Sequence, residues 1–183
     1  MRSVTAWRRC AAMTGFILLS ASPAGAQDIQ LELAVKATYL AKLSPFVEWP
    51  GATVQFPDGV FPICIVGPDP FGSLVDRAAS GQTVAGRPVV VRRLDSIAGD
   101  SPCALAFIAI NNPAVIEAIQ GRPILTVTDQ ASDVRMKGII NFIVRDNRVR
   151  LEIDDIAAAR SGLGISSKLL SLAASLRSRS EPR

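Results

Sequence analysis

The chain contains no histidine, which removes the commonest general base near neutral pH and the commonest transition-metal ligand. Serine triads and zinc hydrolysis therefore have no footing here. Aromatic residues are scarce, at 5% of the sequence, so any cluster of them carries information. No apolar run approaches the roughly 20 residues needed to cross a bilayer. There is no internal repeat, low-complexity tract or inter-domain linker.

What is present begins with an export pattern. Arg2, Arg8 and Arg9 precede an apolar stretch from Ala11 to Leu19 and a small-residue run from Ser20 to Ala26. Ala24-Gly25-Ala26 fits an A-x-A cleavage site, so residues 1–26 are expected to be a signal peptide and Gln27 the first mature residue. Cys10 lies before the apolar stretch, unlike the acylated cysteine of a lipoprotein. Removing the leader takes away three of the 20 basic residues and none of the 16 acidic ones. The mature chain is then nearly neutral, without the basic footprint of a nucleic-acid binder. Its remaining positive cluster, residues 177–183, is expected to be a solvated, mobile tail.

Export leads to an oxidising compartment, where Cys64 and Cys103, the two cysteines left, are expected to pair in a disulfide. Each sits in an apolar, strand-like run. The alternative is two buried free thiols.

Periodicity supplies the architecture. Val35, Tyr39, Leu40, Leu43 and Phe46/Val47 recur at helical spacing over Leu31 to Val47, with Lys36 and Lys42 off that stripe. Pro45 is expected to distort or end the last turn, and Trp49-Pro50-Gly51 to start a loop. Phe61 to Val66 reads as a central strand covered on both faces. Asp69 is expected to cap a short helix with Pro70 at its first position. Strands follow at Pro88 to Val91, Ala104 to Ile110 and Pro123 to Thr128, with a helix from Pro113 closed by Gly121. Ile139 to Val144 and Val149 to Ile153 flank Asp146-Asn147 as an antiparallel hairpin. Asp154-Asp155 then caps a short helix to Arg160, and Ser166 or Ser167 caps a final helix with Leu169, Leu170, Leu172, Ala173 and Leu176 on its apolar side. The fold expected is α/β: a single compact domain over residues 27–176, with a mixed, mostly parallel sheet flanked by helices and a C-terminal antiparallel hairpin.

Candidate chemistry is thin. Asp154/Asp155 could do acid–base work, but capping explains the pair better. Gly162 to Lys168 suggests a phosphate loop only superficially, since it lacks the spacing and follows a helix; it reads as a helix-to-helix turn. The turn carrying Asp69, Phe71 and Gly72 lies at a strand's carboxyl end, where open α/β sheets bind ligands, although cap chemistry alone accounts for it. Phe46, Glu48, Trp49 and Pro50 concentrate two aromatics where a helix ends. That segment is either a partner-binding anchor or, the weightier reading for Trp49, part of the domain's own core.

Several stretches recur together in one known family. The chain resembles the YfiR-type periplasmic proteins in Val35–Leu40, Phe46–Pro50, Cys64–Gly72, Val84–Pro88, Leu125–Asp129, Asn147–Ile153 and Ser166–Leu170, in order and spacing. The resemblance implies a compact α/β domain that tends to dimerise and regulates cyclic di-GMP signalling from the periplasm. Its best-known arrangement is repression of a membrane-bound diguanylate cyclase by holding the periplasmic sensor domain, and since members are also encoded beside other sensors, the partner implied is such a cyclase or another sensor. An outer-membrane lipoprotein with a peptidoglycan-binding domain can sequester the repressor. Some members carry a second cysteine pair that this chain lacks, and Pro45 beside the Phe46–Pro50 motif is a departure. The expectation is a binding protein that is not an enzyme, needs no cofactor or metal and binds no nucleic acid; a small-ligand receptor using the Asp69 turn is the alternative.

Overall fold

Apolar runs bounded by Pro and Gly become central strands, because neither face of such a segment meets water. A computed structural model describes residues 24–50, 57–98, 100–109, 112–131 and 133–179. The expected leader lies outside the described residues up to position 23, as do the loop from Gly51, Ile110 and the last four residues of the tail. The first half comprises α1 (Ala24–Leu43), β1 (Val47–Glu48), β2 (Phe61–Val66), α2 (Ser73–Ala79), β3 (Thr83–Val84), β4 (Arg87–Leu94) and β5 (Leu105–Ile108). Then come α3 (Pro113–Ile119), β6 (Leu125–Asp129), β7 (Ile140–Arg145), β8 (Arg148–Asp154), α4 (Asp155–Arg160), β9 (Gly164–Ile165), α5 (Ser167–Leu170) and β10 (Ala173–Arg177).

Eight strands form one sheet in the order β10-β8-β7-β6-β5-β2-β4-β3. β7, β6, β5, β2 and β4 run parallel, while β8 and β3 are antiparallel to their neighbours β7 and β4. The expected α/β class, mostly parallel sheet and C-terminal hairpin are all present. Asp146 and Asn147 both adopt positive φ, 52° and 55°, as a two-residue type I′ turn requires.

Alternation along β2 divides the core between the two sheet faces. Ile63 and Ile65 join a large cluster with Phe107, Leu125 and Val127, covered by Leu40 of α1 and Val75 of α2. Cys64 and Val66 face the other way, into a smaller cluster with Ala106, Ile108 and Ile119 of α3. Beside that cluster the sheet face turns polar. Thr128 Oγ1 donates to Asn141 Oδ1 at 3.0 Å, and Asn141 Nδ2 and Lys137 Nζ both donate to Glu152.

Four expectations are corrected. The first helix begins at Ala24 instead of Leu31 and ends at Leu43, where a 3-10 turn over Ser44–Phe46 carries Pro45, the helix-ending residue expected. Its buried stripe is rotated from the expected one: Lys36 is 1% exposed, whereas Val35 is 36% exposed. Asp69 and Pro70 precede their helix, whose cap position is Gly72. The final helix is a single turn, and Ala173–Arg177 instead forms a strand parallel to β8. The chain there gains a ladder of backbone hydrogen bonds along the edge of β8, while Leu172 and Leu176 stay exposed. Arg177 and Arg179, read as part of a mobile tail, are tied to Asp154 and Asp155 by ion pairs.

Candidate functional site

The Phe46–Pro50 segment becomes a built corner because the 3-10 turn redirects the chain out of α1 into β1. There Val47 pairs with Ile165 and Glu48 with Gly164 in a two-stranded antiparallel ribbon. The amide of Ser166 donates to the Phe46 carbonyl at 2.9 Å. Close approach explains Gly164 of the following loop, and left-handed backbone explains Gly162. A Cβ on Gly164 would sit 3.2 Å from Glu48 Oε2, and one on Gly162, at φ +72°, would lie against Pro50. The Gly162–Lys168 segment thus serves as the helix-to-helix turn expected, with β9 inside it, and Gly164 makes room for Glu48.

Within this corner the side chains divide. Trp49 turns inward, its ring edge-on to Phe61 with centroids 5.2 Å apart, packed against the main core. Its Nε1 is buried without a hydrogen-bond partner, an arrangement that costs desolvation energy. Phe46 is half-buried beneath the Lys168 ammonium, 5.7 Å from the ring centroid, and Glu48 is exposed. What the corner presents outward is therefore Glu48, Lys168 and the edge of Phe46.

The turn after β2 is occupied by its own groups. Asp69 Oδ1 accepts the amides of Phe71 and Gly72 at 2.7 and 3.2 Å, and Oδ2 accepts Arg93 Nε at 2.8 Å. Arg93 also donates to Asp76 and to the Gly72 carbonyl. The hydrogen bond and charge of Arg93 hold the Asp76 carboxyl below its usual range, and Asp76 with Asp69 raises the guanidinium pKa in turn. Phe71 is buried edge-on to Phe107 at 4.8 Å. Asp69 thus engages the amides of Phe71 and Gly72, and through Arg93 the turn after β2 is fastened to β4.

Cys64 and Cys103 form a disulfide with Cα atoms 5.8 Å apart. It lies inside the smaller core cluster, linking β2 to the segment entering β5.

Lys36 is a charged centre the periodicity missed. Its Nζ donates to both oxygens of Asp129 at 2.7 and 2.6 Å and to Glu32 on the preceding turn of α1. Burial of an ammonium is tolerable only with such paired acceptors. The available signal was Glu32 four residues before Lys36 on a helix; Asp129, 93 residues away, carried none. Asp154 accepts the Ala157 amide at 2.8 Å and so caps α4, as expected. Among the described residues no group of three metal-ligating side chains occurs, and no helix is long and apolar enough to cross a membrane.

No curated protein matches the chain. A family model described as YfiR/HmsC-like matches residues 33–174, from the first helix into the last strand and across every motif that carried the resemblance. The chain belongs to the YfiR/HmsC-like family, a regulatory rather than catalytic one.

Proposed function

We propose that this protein is a periplasmic repressor of a membrane-bound diguanylate cyclase, acting by binding the cyclase's periplasmic sensor domain and so limiting cyclic di-GMP and biofilm formation. The observation that carries the reading is the family match over residues 33–174. Two others support it. The buried Cys64–Cys103 disulfide suits an oxidising compartment, and the acidic groups singled out for chemistry are engaged in caps and ion pairs. The working unit in this reading is a homodimer, and an outer-membrane peptidoglycan-binding lipoprotein can draw it away from the cyclase.

Repression of this kind is a population shift. A binder that favours the inactive cyclase moves its equilibrium only by the difference in affinity for the two states. Deleting the gene should raise cyclic di-GMP and biofilm, and supplying the exported protein should lower both. A version lacking residues 1–26, kept in the cytoplasm, should fail to complement. Unchanged cyclic di-GMP in the deletion strain under every growth condition would overturn the cyclase reading.

A further inference from the structure

We infer that the open edge of β4, from Val90 to Leu94, is a strand-addition site for an extended segment of a partner protein, an inference that rests on the reading above that the chain acts by binding a protein. β4 lies next to the end of the sheet, and β3 covers it only at Arg87 and Pro88, with one further bond from the Val89 amide to the Gln82 carbonyl. On its other side β4 pairs with β2 in unbroken register from Val89 to Leu94. The amide of Gly67 donates to the Leu94 carbonyl, so Leu94 turns its backbone groups toward β2, whereas the Val89 amide points away from it. Alternation then places the amides and carbonyls of Val91 and Arg93 outward. No backbone group meets them there among the described residues. Unpaired ladder groups of this kind are a template for another chain.

No bulge or proline blunts this edge between Val89 and Leu94, although sheets guard exposed strands in those ways. The opposite edge strand, β10, does have a register shift between Ala173 and Ser175. Val89-Val90-Val91 is a strongly β-prone run, and the two charges beyond it are drawn aside, Arg92 to Asp58 and Arg93 to Asp69 and Asp76. A second copy does not suit the edge. Antiparallel self-pairing centred on Val91 brings Arg93 against Val89, whose amide Gln82 already holds. Centring it on Arg92 or Arg93 sets like charges directly opposite, which is destabilising. The occupant is therefore a different polypeptide, and side chains select it. Val89 and Val91 face the main core, while Leu94, and with it Arg92, lies on the other face of the sheet. Arg92 reaches Asp58 only at 3.4 Å, and that carboxylate is 74% exposed, so the pair is weak and the guanidinium can take a second acid. A fitting strand alternates an apolar residue beside Val91 with an acidic one beside Arg92.

The test uses protein purified from the periplasm of cells expressing the full chain. In native-state hydrogen exchange the amides of Val91 and Arg93 should exchange at least about a hundredfold faster than those of Val90 and Arg92, which face β2. Protection of Val91 and Arg93 in the free protein would overturn the proposal, since another part of the chain or a second copy then covers the edge. A labelled peptide of about seven residues, alternating Val and Thr with one Glu in place of a Thr, is titrated next. It should bind at least about tenfold tighter than the same peptide with Lys for Glu, and Arg92→Glu should reverse that order. Methylating one set of alternate peptide amides should abolish binding and methylating the other set should not, because only alternate amides face the edge. Equal effects of the two sets, or no binding up to about 1 mM, would sink the proposal. Val91→Pro removes an outward amide and spares the bonds to β2. It should lose the peptide, and both it and Arg92→Glu, which keeps every backbone group, should fail to complement the deletion strain. Repression intact in both variants would overturn the edge as the partner's site and leave the repressor reading standing. Peptide binding as expected, in a deletion strain with unchanged cyclic di-GMP, would uphold the edge and remove the cyclase.

Discussion

Lys36 Nζ lies 2.6 Å from Asp129 Oδ2, joining the middle of the first helix to the carboxyl end of a central strand. The lysine is 1% exposed, while its two carboxylate partners keep 27 and 31% of their side-chain surface. Removing Asp129 takes away one of the two carboxylates that hold a desolvated ammonium and leaves Glu32 to pair with it. Asp129→Ala should therefore destabilise the protein by about 1 to 3 kcal/mol, lowering Tm by roughly 2 to 12 °C for a chain of this size. Lys36→Met combined with Asp129→Leu should recover much of the loss. Melting curves of the three proteins decide it: a double variant no better than Asp129→Ala would show that the ion pair itself stabilises the fold.

The disulfide spans 39 positions. Its loss should cost about 3 to 4 kcal/mol if it acts through the entropy of the unfolded chain. Reduction under denaturing conditions followed by refolding should give a Tm several degrees lower. Both cysteines are buried, so a mild reductant should act slowly on the native protein. Two free thiols by intact mass in periplasmic material would show that the bond does not form in the cell.

Trp49 packs into the core, so Trp49→Ala should impair folding before it impairs binding. A loss of about 3 kcal/mol is expected, at the lower end for such truncations because the ring is only half-buried. Trp49→Phe keeps the contact with Phe61 and removes the unpartnered Nε1, so its stability should stay within about 1 kcal/mol of the parent. Denaturant titration of both variants separates the outcomes. A Trp49→Ala protein as stable as the parent would return the residue to the interface.

Glu152 supplies a pH signature. Partial burial pushes its pKa up, but hydrogen bonds from Lys137 and Asn141 and the Lys137 charge outweigh that, and the net shift is downward. A carboxyl with a lowered folded-state pKa adds stability that is fully present above its unfolded value, near 4.3, and is lost as pH falls through the folded one. Glu152→Gln should therefore lower Tm at pH 7 and narrow its deficit below about pH 4. A deficit that stays constant from pH 7 to the acid limb would mean the group contributes no such linkage.

The regular elements were legible because their signals are local. The continuous apolar run of β2, the turn residues Asp146-Asn147 and the helix caps Asp154 and Ser166 each act within a few residues of themselves. Two cysteines in apolar, strand-like runs were enough to point to the disulfide. Lys36 was misplaced because apolar spacing treats every lysine as solvated, and its acceptor lies 93 positions away. Leu172 and Leu176 suggested a helix until the open edge of β8 offered backbone partners.

By itself, the sequence determined which segments bury both faces, where the chain turns, that no histidine chemistry operates, and the family. Tertiary structure decided what each exposed or charged group faces. It turned Trp49 inward, spent Asp69 on its own turn, paired Lys36 with Asp129, and left Leu31 and Val35 uncovered beside the hairpin. The physical reason is range. Helix caps, turns and strand runs are set by neighbours in sequence, whereas burial of a charge and exposure of an apolar face depend on what a distant part of the chain brings against them.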